Sequence, residues 1–387
     1  MKFLYTAGTA RGGTNFRTLM LNGHSNIQMS IDPFIPLFRF YRDSILKHLG
    51  KYELLDRVPN RDILDDYYFD STKLEIMEAV QSFDEDIEFD LSQWSELKQQ
   101  IAGRMSLASM NLIKHLDKLP APTFKEVFYN LVNLVAIESQ GNIVWAGFND
   151  NWTSEFFPLV ARLIPDAKFI MHLRDPRSVI HSSEFAEPDP AKHPPIITFA
   201  RHLRKHYAFA TMFQTMPELK NRLLITHYEA FLEDADKELL KITDFLGIEF
   251  ESIMSDIDRF RKADGSRWPS NKGDYKNSKD TWRHEKYKNL TEVTEFICDP
   301  EMRLHGYYPE VYNAEKGLSD SAFDFLINNV KTSLGWNTDF DEIERAVGSE
   351  LYRKRILQSP RNMSNKEINR LFLFSEVYEK IQLEFAH

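Results

Sequence analysis

Residues Gly8 to Thr14 read G-T-A-R-G-G-T and follow a short apolar run, KFLYT. A strand, a glycine-rich turn and then a helix form a device for holding phosphate. The glycines let the backbone come close, and the helix N-terminus adds roughly half a positive charge. The spacing from Gly8 to Gly13 is that of a Walker A loop, G-x-x-x-x-G-K-[ST]. Here Thr14 stands where the lysine belongs, and the cation is Arg11, inside the loop. No Lys-Ser/Thr pair is present to serve β- and γ-phosphates with Mg²⁺, which argues against a nucleoside triphosphatase. Taken alone, the loop has a plainer alternative, a glycine-rich turn without a ligand.

A second stretch shifts that balance. In PDAKFIMHLRDPRSVIHSS, residues 165 to 183, an apolar strand ends in Arg174-Asp175-Pro176-Arg177, and Ser182 lies eight residues beyond Arg174. Pro176 suits the first turn of a helix. Arg174 then sits at the carboxyl end of a strand, where α/β proteins bind ligands. Ser182 is about two turns along the helix and faces the same anion. An arginine grips phosphate through two hydrogen bonds. Two phosphate sites, one at each strand-to-helix turn, fit a nucleotide with phosphates at both ends of its nucleoside.

In this order and spacing the stretches resemble the sulfotransferases that use 3′-phosphoadenosine 5′-phosphosulfate. The closest motif style is that of the tyrosylprotein and bacterial small-molecule enzymes. The family's first loop, R-S-G-T-T or K-S-G-T-T, is matched by Arg11-Gly12-Gly13-Thr14-Asn15, and its R-D-P-R with a later serine by Arg174 and Ser182. A third stretch, RLLITHYEAFLEDADKELLKITDFLGIEF (222 to 250), resembles R-Y-E-x-L followed by a helix and F-L-G, and puts Tyr228 at the tyrosine near the adenine. Phe245-Leu246-Gly247 also reads as a helix end with a glycine cap. Trp282 and LHGYYPEVYN (304 to 313) resemble the end of the same core. The likeness covers 1 to 38 and about 142 to 312.

The resemblance implies in-line sulfuryl transfer from 3′-phosphoadenosine 5′-phosphosulfate (PAPS), with 3′-phosphoadenosine 5′-phosphate (PAP) as product and no metal required. Such transfer rests on positioning, on cations at the leaving oxygen and on a base for the acceptor proton. Arg11 is then the cation on the bridging and sulfonate oxygens. The N–H groups of Gly12, Gly13 and Thr14, with the Thr14 hydroxyl, hold the 5′-phosphate. Asn15 replaces the family's second threonine and still donates a hydrogen bond. Asp32, in HSNIQMSIDPF, stands near the spacing of a glutamate base in relatives, one methylene shorter. Its plainer reading is a turn before Pro33. The family's Lys-x-Pro is missing, and alignment puts Asn149 where its lysine belongs. Arg11 alone serves the leaving group, or a cation among Lys272, Lys276 and Lys279 helps, with Ser278 on the 3′-phosphate side. His202 and His206 have metal-like spacing, but Arg201, Arg204 and Lys205 surround them and disfavour a metal. His24 is expected to cap the first helix, with a base role as the alternative, and His172 and His181 are expected to be packing residues.

The elements that must position these groups read as α/β: a central parallel sheet flanked by helices, in a P-loop-like sulfotransferase fold. Short apolar strands at 2–6, 27–33, 142–148, 168–173 and 222–226 are separated by helices at 15–22, 153–163, 177–184, 197–215 and 234–246, as a sheet covered on both faces requires. Residues 1 to 312 form the core domain, with a mostly helical insertion over about 39 to 140. Residues 313 to 387 form an extension of two or three amphipathic helices.

The 387 residues, 42% hydrophobic and 27% charged, suit a soluble globular protein. No apolar run of about 18 residues predicts a membrane span, and no signal peptide is evident. The only cysteine, Cys298, excludes an internal disulfide; together these favour the cytoplasm. The net charge is −10. Residues 62 to 96 hold twelve acids against Lys73, a sum of −11, so the rest of the chain is +1. A nucleic-acid binder would be basic. An acidic field over the variable insertion attracts a cation, which predicts a small or cationic acceptor such as an alkaloid, guanidinium compound or aminated natural product. A solvated helical face explains the same charges. Sulfation of a carbohydrate or a peptide tyrosine stays open, as do a small-molecule kinase and a non-catalytic nucleotide-binding protein.

Overall fold

The computed structural model describes the chain apart from residues 33, 57–67, 105–111, 113–114, 117–118, 120–121, 138, 140, 187–194, 262–279, 333–339, 360 and 386–387. Its elements run β1 (Lys2–Gly8), α1 (Thr14–Leu21), β2 (Ile27–Ile31), α2 (Ile35–His48), α3 (Tyr52–Leu55), α4 (Ser71–Ser82), α5 (Trp94–Arg104), α6 (Phe124–Ala136), β3 (Trp145–Asn149), α7 (Phe157–Leu163) and β4 (Lys168–Leu173). They continue with α8 (Pro176–Ala186), α9 (Ile196–Phe213), β5 (Leu223–His227), α10 (Tyr228–Glu233), α11 (Ala235–Leu246), α12 (Lys288–Cys298), α13 (Asp320–Thr332), α14 (Phe340–Gln358), α15 (Asn365–Phe372) and α16 (Ser375–Phe385). Two compact units result. The first comprises residues 1–64, 75–173 and 213–272; the second comprises 65–74, 174–212 and 273–387.

The first unit holds a five-stranded sheet of order β2-β3-β1-β4-β5, parallel throughout. β1, β3 and β4 are buried almost end to end, as strands covered on both faces must be. An aromatic cluster packs against the sheet. Tyr5 lies 4.8 Å from Phe157, 4.9 Å from Phe148 and 5.5 Å from Phe38, centroid to centroid. Its hydroxyl donates to the Thr153 carbonyl at 2.8 Å, so the buried phenol is satisfied. Around α1 and α11, Leu19, Met20, Ile27, Trp145, Leu239 and Ile242 join a second apolar cluster. β1 and β4 are neighbours, with Gly8 opposite His172. The chain leaves β1 toward α1 and leaves β4 toward Arg174, so both predicted phosphate turns start at the carboxyl ends of adjacent strands.

Most predicted elements fall within a residue or two of their places. The helix expected over 153–163 starts as a 3-10 turn at Ser154–Phe156 and becomes α-helical at Phe157, which puts Pro158 in the first turn, where its missing N–H costs nothing. Gly247 caps α11 at φ 73°. A short helix, α10, precedes α11 and was not anticipated. Asp234 separates the two by accepting from the Lys237 N–H at 3.0 Å as an N-cap.

In the second unit, α9 and α14 are joined by buried ion pairs. Arg204 donates to both Glu350 oxygens at 2.6 and 3.0 Å, and Arg201 donates to the same carboxylate at 2.6 Å. Among the described residues the tail holds four helices, α13 to α16, where the periodicity predicts two or three. Ser364 opens α15 with a capping box. Among the described residues no helix is long and apolar enough to cross a membrane. Glu350→Ala, which strands two buried guanidinium groups, is expected to cost about 3–5 kcal/mol in a chemical denaturation series. A loss under about 1 kcal/mol would contradict this reading of the α9–α14 junction.

Candidate functional site

The loop after β1 is built by backbone conformation. Gly13, the N-cap of α1, is left-handed at φ 85°, and a Cβ there would lie 2.2 Å from the Tyr228 ring. Only glycine fits. Arg11 is also left-handed, at φ 61°, an uncommon state for a residue with a side chain and one that concentrates at functional sites. The Gly12 N–H turns back to the Thr9 carbonyl at 2.9 Å. The N–H groups of Gly13, Thr14 and Asn15 have no acceptor among the described residues. They are the orphan donors of a helix start, and they open where an anion is held. The loop thus presents Gly13, Thr14 and Asn15 amides, with Gly12 supporting the turn instead of donating outward.

Asp32, just past β2, is the third part. It too is left-handed, at φ 54°, a state aspartate tolerates better than most residues. Its N–H donates to the Asn149 carbonyl at 2.7 Å. Its carboxylate accepts from the Asn151 N–H and from Asn151 Nδ2, both at 3.1 Å. Asn151 Oδ1 in turn accepts from the Thr14 hydroxyl at 2.8 Å. One asparagine therefore ties the loop after β1 to the acid after β2. The Thr14 hydroxyl, expected to face a phosphate, is engaged in this link. Asn151 was not singled out from sequence, where an asparagine after a strand reads as a turn residue.

Beneath the loop lies Arg17, on the inner face of α1. It is fully buried. Its Nη2 donates to Asn149 Oδ1 at 2.8 Å, and the Thr6 hydroxyl donates to the same oxygen at 3.1 Å. Burial pushes the Arg17 guanidinium down to about 9. Asn149 is the last residue of β3 and is also fully buried.

Tyr228 starts α10 and is buried, its ring against Gly13 and edge-on to Phe16 at 6.3 Å. His24 does not cap α1; its Nε2 lies 2.7 Å from the Glu249 carbonyl, and its Nδ1 accepts from the Asn26 N–H. The C-cap is Asn22. Lys272, Lys276, Ser278 and Lys279 lie outside the described residues.

In the second unit Arg174 is buried, and its carbonyl accepts from the Tyr207 hydroxyl at 2.5 Å. Ser182 is half-buried on α8. Arg177, three residues on from Arg174, is committed elsewhere. It clasps Asp175 through Nε and Nη2 at 2.9 and 2.7 Å, reaches Glu295 at 2.7 Å, and its guanidinium lies 3.8 Å from the centroid of the Trp282 ring. His181, on α8, lies edge-on to Tyr287 at 4.3 Å. Burial first, and then the charges of Lys286, Arg174 and His284, push its imidazole down to about 4.

The family model described as "Sulfotransferase family" matches residues 4–252. A "putative protein-tyrosine sulfotransferase" of Caenorhabditis elegans is 27% identical over 105 residues, which is 27% of this chain and 40% of the relative. The chain thus spans about two fifths of the length of the curated relatives it matches. Among solved structures, the sulfotransferase domain from the curacin biosynthetic pathway is similar at a TM-score of 0.43 and 15% identity, over 80% of this chain and 99% of that one. Retinol dehydratase, in a complex with retinol and PAP, is similar at a TM-score of 0.29 and 13% identity, over 94% and 84%.

The imidazole of His181 gives a signed pH dependence. Between about pH 6.5 and about 4 the unfolded chain binds a proton there that the folded chain does not. Stability should therefore fall as pH falls through that window, and His181→Gln should flatten the fall. Melting curves from pH 7 to 4 that superimpose for the two proteins would refute it.

Proposed function

Because the chain belongs to the sulfotransferase family, we propose that it moves a sulfuryl group from PAPS to a hydroxyl or nitrogen of a small acceptor. The observation that carries this is the loop after β1. Three outward amides, a left-handed Arg11 and a glycine with no room for a side chain form a cradle for a compact anion. That cradle fits the 5′-phosphosulfate end of the donor. Where a Walker loop carries its lysine and its Mg²⁺-binding Ser/Thr, this loop carries Thr14 and Asn15.

The donor brings a sulfuryl group on a phosphate leaving oxygen; the chain's residues position and neutralise it. The amides of Gly13, Thr14 and Asn15 hold the 5′-phosphate. Arg11 stands at the bridging and sulfonate oxygens and takes up the charge that develops there. Asp32 receives the acceptor's proton as the acceptor oxygen or nitrogen bonds to sulfur and the sulfur–oxygen bond to the phosphate breaks. The Asn151 N–H groups fix the orientation of that carboxylate. Arg174 and Ser182 are assigned to the 3′-phosphate. Tyr228, already packed on Gly13, is assigned to the adenine.

A small cationic acceptor is supported by the exposed acids Asp84, Glu85, Glu88 and Asp90 in the helical insertion. Some acids of the insertion also hold local structure. Asp90 accepts from the Ser92 N–H at 2.9 Å, and Asp86 accepts from the Lys125 N–H at 3.0 Å. A cleft of about 230 Å³ in the same insertion is lined by both signs of charge, including Arg39, Arg42, Asp43 and Glu96. The similarity to a tyrosine sulfotransferase favours a second reading, a peptide tyrosine as acceptor.

In a thermal-shift panel PAP should stabilise the protein while ATP with Mg²⁺ and GTP should not. Stabilisation by the triphosphates alone would refute the donor assignment. With an acceptor found by its gain of one SO₃, Asp32→Asn should lower kcat about 100-fold or more and leave PAP affinity unchanged; full turnover would remove Asp32 as the base. Arg11→Ala should lower kcat about 10²–10³-fold, and a loss confined to KM would show a binding role only.

A further inference from the structure

Arg17 is a cation sealed inside the first unit. None of its surface is exposed, and among the described residues it has no carboxylate partner. Its one acceptor is neutral, Asn149 Oδ1. Arg17 Nε and Nη1 and Asn149 Nδ2 are buried donors without an acceptor. A protein interior seldom keeps a charge in this state, because desolvation is costly and nothing local offsets it. An apolar side chain of similar volume would pack there more cheaply. The location supplies a reason. Arg17 lies one turn into α1, its N–H donating to the Gly13 carbonyl at 3.2 Å, directly under the amides that open toward an anion. It reaches Asn149 at the end of β3, the position at which the resemblance described above implies a lysine.

We propose that Arg17 is the second cation of the donor site. Acting through Asn149 and the loop above it, it supplies the positive field that the absent lysine would otherwise give to the nucleotide's 5′ anionic end. This rests on the donor assignment of the preceding subsection and extends it. Arg17 is a positioning residue here, buried under the loop. Its charge is uncompensated without a ligand and is balanced when a phosphate arrives, so affinity is gained at the expense of the empty protein's stability.

That trade separates the proposal from a structural role. The full-length chain is titrated with PAP by calorimetry, and its melting temperature is measured without nucleotide. Four proteins are compared: wild type, Arg17→Met, Arg17→Lys and the double variant Arg17→Met with Asn149→Lys. Loss of a charged contribution to phosphate binding predicts a Kd weaker by about 10–100-fold for Arg17→Met. The ligand-free melting temperature should be equal to wild type or higher. Arg17→Lys should retain most of the affinity, and Asn149→Lys should return at least about a tenfold part of what Arg17→Met loses. Wild-type affinity in Arg17→Met would overturn the proposal while leaving the donor assignment intact. A fall in ligand-free melting temperature, or failure to fold, without rescue by Asn149→Lys would assign Arg17 to structure and overturn it equally. No heat from wild type with PAP would remove the donor assignment and this inference together.

Discussion

Asn151 makes one clasp on which the arrangement of the site depends. Its side-chain oxygen accepts from Thr14 and its nitrogens donate to Asp32, so the ends of β1, β2 and β3 are tied through one amide. Each partner is a residue whose backbone is unusual or whose position is tight. Asp32 is held at positive φ, and Thr14 follows a glycine that cannot be replaced without striking Tyr228. Strained conformations persist only where the surroundings over-determine them, and the clasp provides that surplus of constraint. The parallel sheet makes it geometrically available, because Asp32 N–H meets the Asn149 carbonyl in continuation of the β2–β3 ladder.

Asparagine amides meet groups of both signs in the same region. Arg11 stands exposed on the loop, Arg17 is sealed below it and donates to Asn149, and the Asp32 carboxylate accepts from both Asn151 nitrogens. The intervening asparagines are neutral, and they orient the acid through two N–H groups without adding charge to the region.

The sheet was legible because its strands are short apolar runs between helices, and the loop was legible because glycine spacing reports backbone geometry. Arg11, Asp32 and Arg174 could be named from residue type and from their places after strands. Arg17 could not. Its neighbours Phe16, Leu19 and Met20 mark a buried face, and a cation within such a face reads as a side chain that reaches solvent. Asn151 was hidden for a related reason: an asparagine past a strand has many local uses, and only the fold brings residues 14, 32 and 151 together. The Thr14 hydroxyl and the Gly12 amide were assigned outward from a linear motif, whereas the hydrogen bonds to Asn151 and Thr9 turn them inward. The short helix α10 escaped because six residues carry too little periodicity to be distinguished from a turn.

The R-D-P-R stretch holds two arginines of different standing. Arg177 is closed in by Asp175, Glu295 and the Trp282 ring, so its charge is already spent inside the protein. The motif's letters show two arginines alike, yet one of them is built into the packing of the second unit. Among related chains, the residues at 175, 177 and 295 should vary together as a packing set.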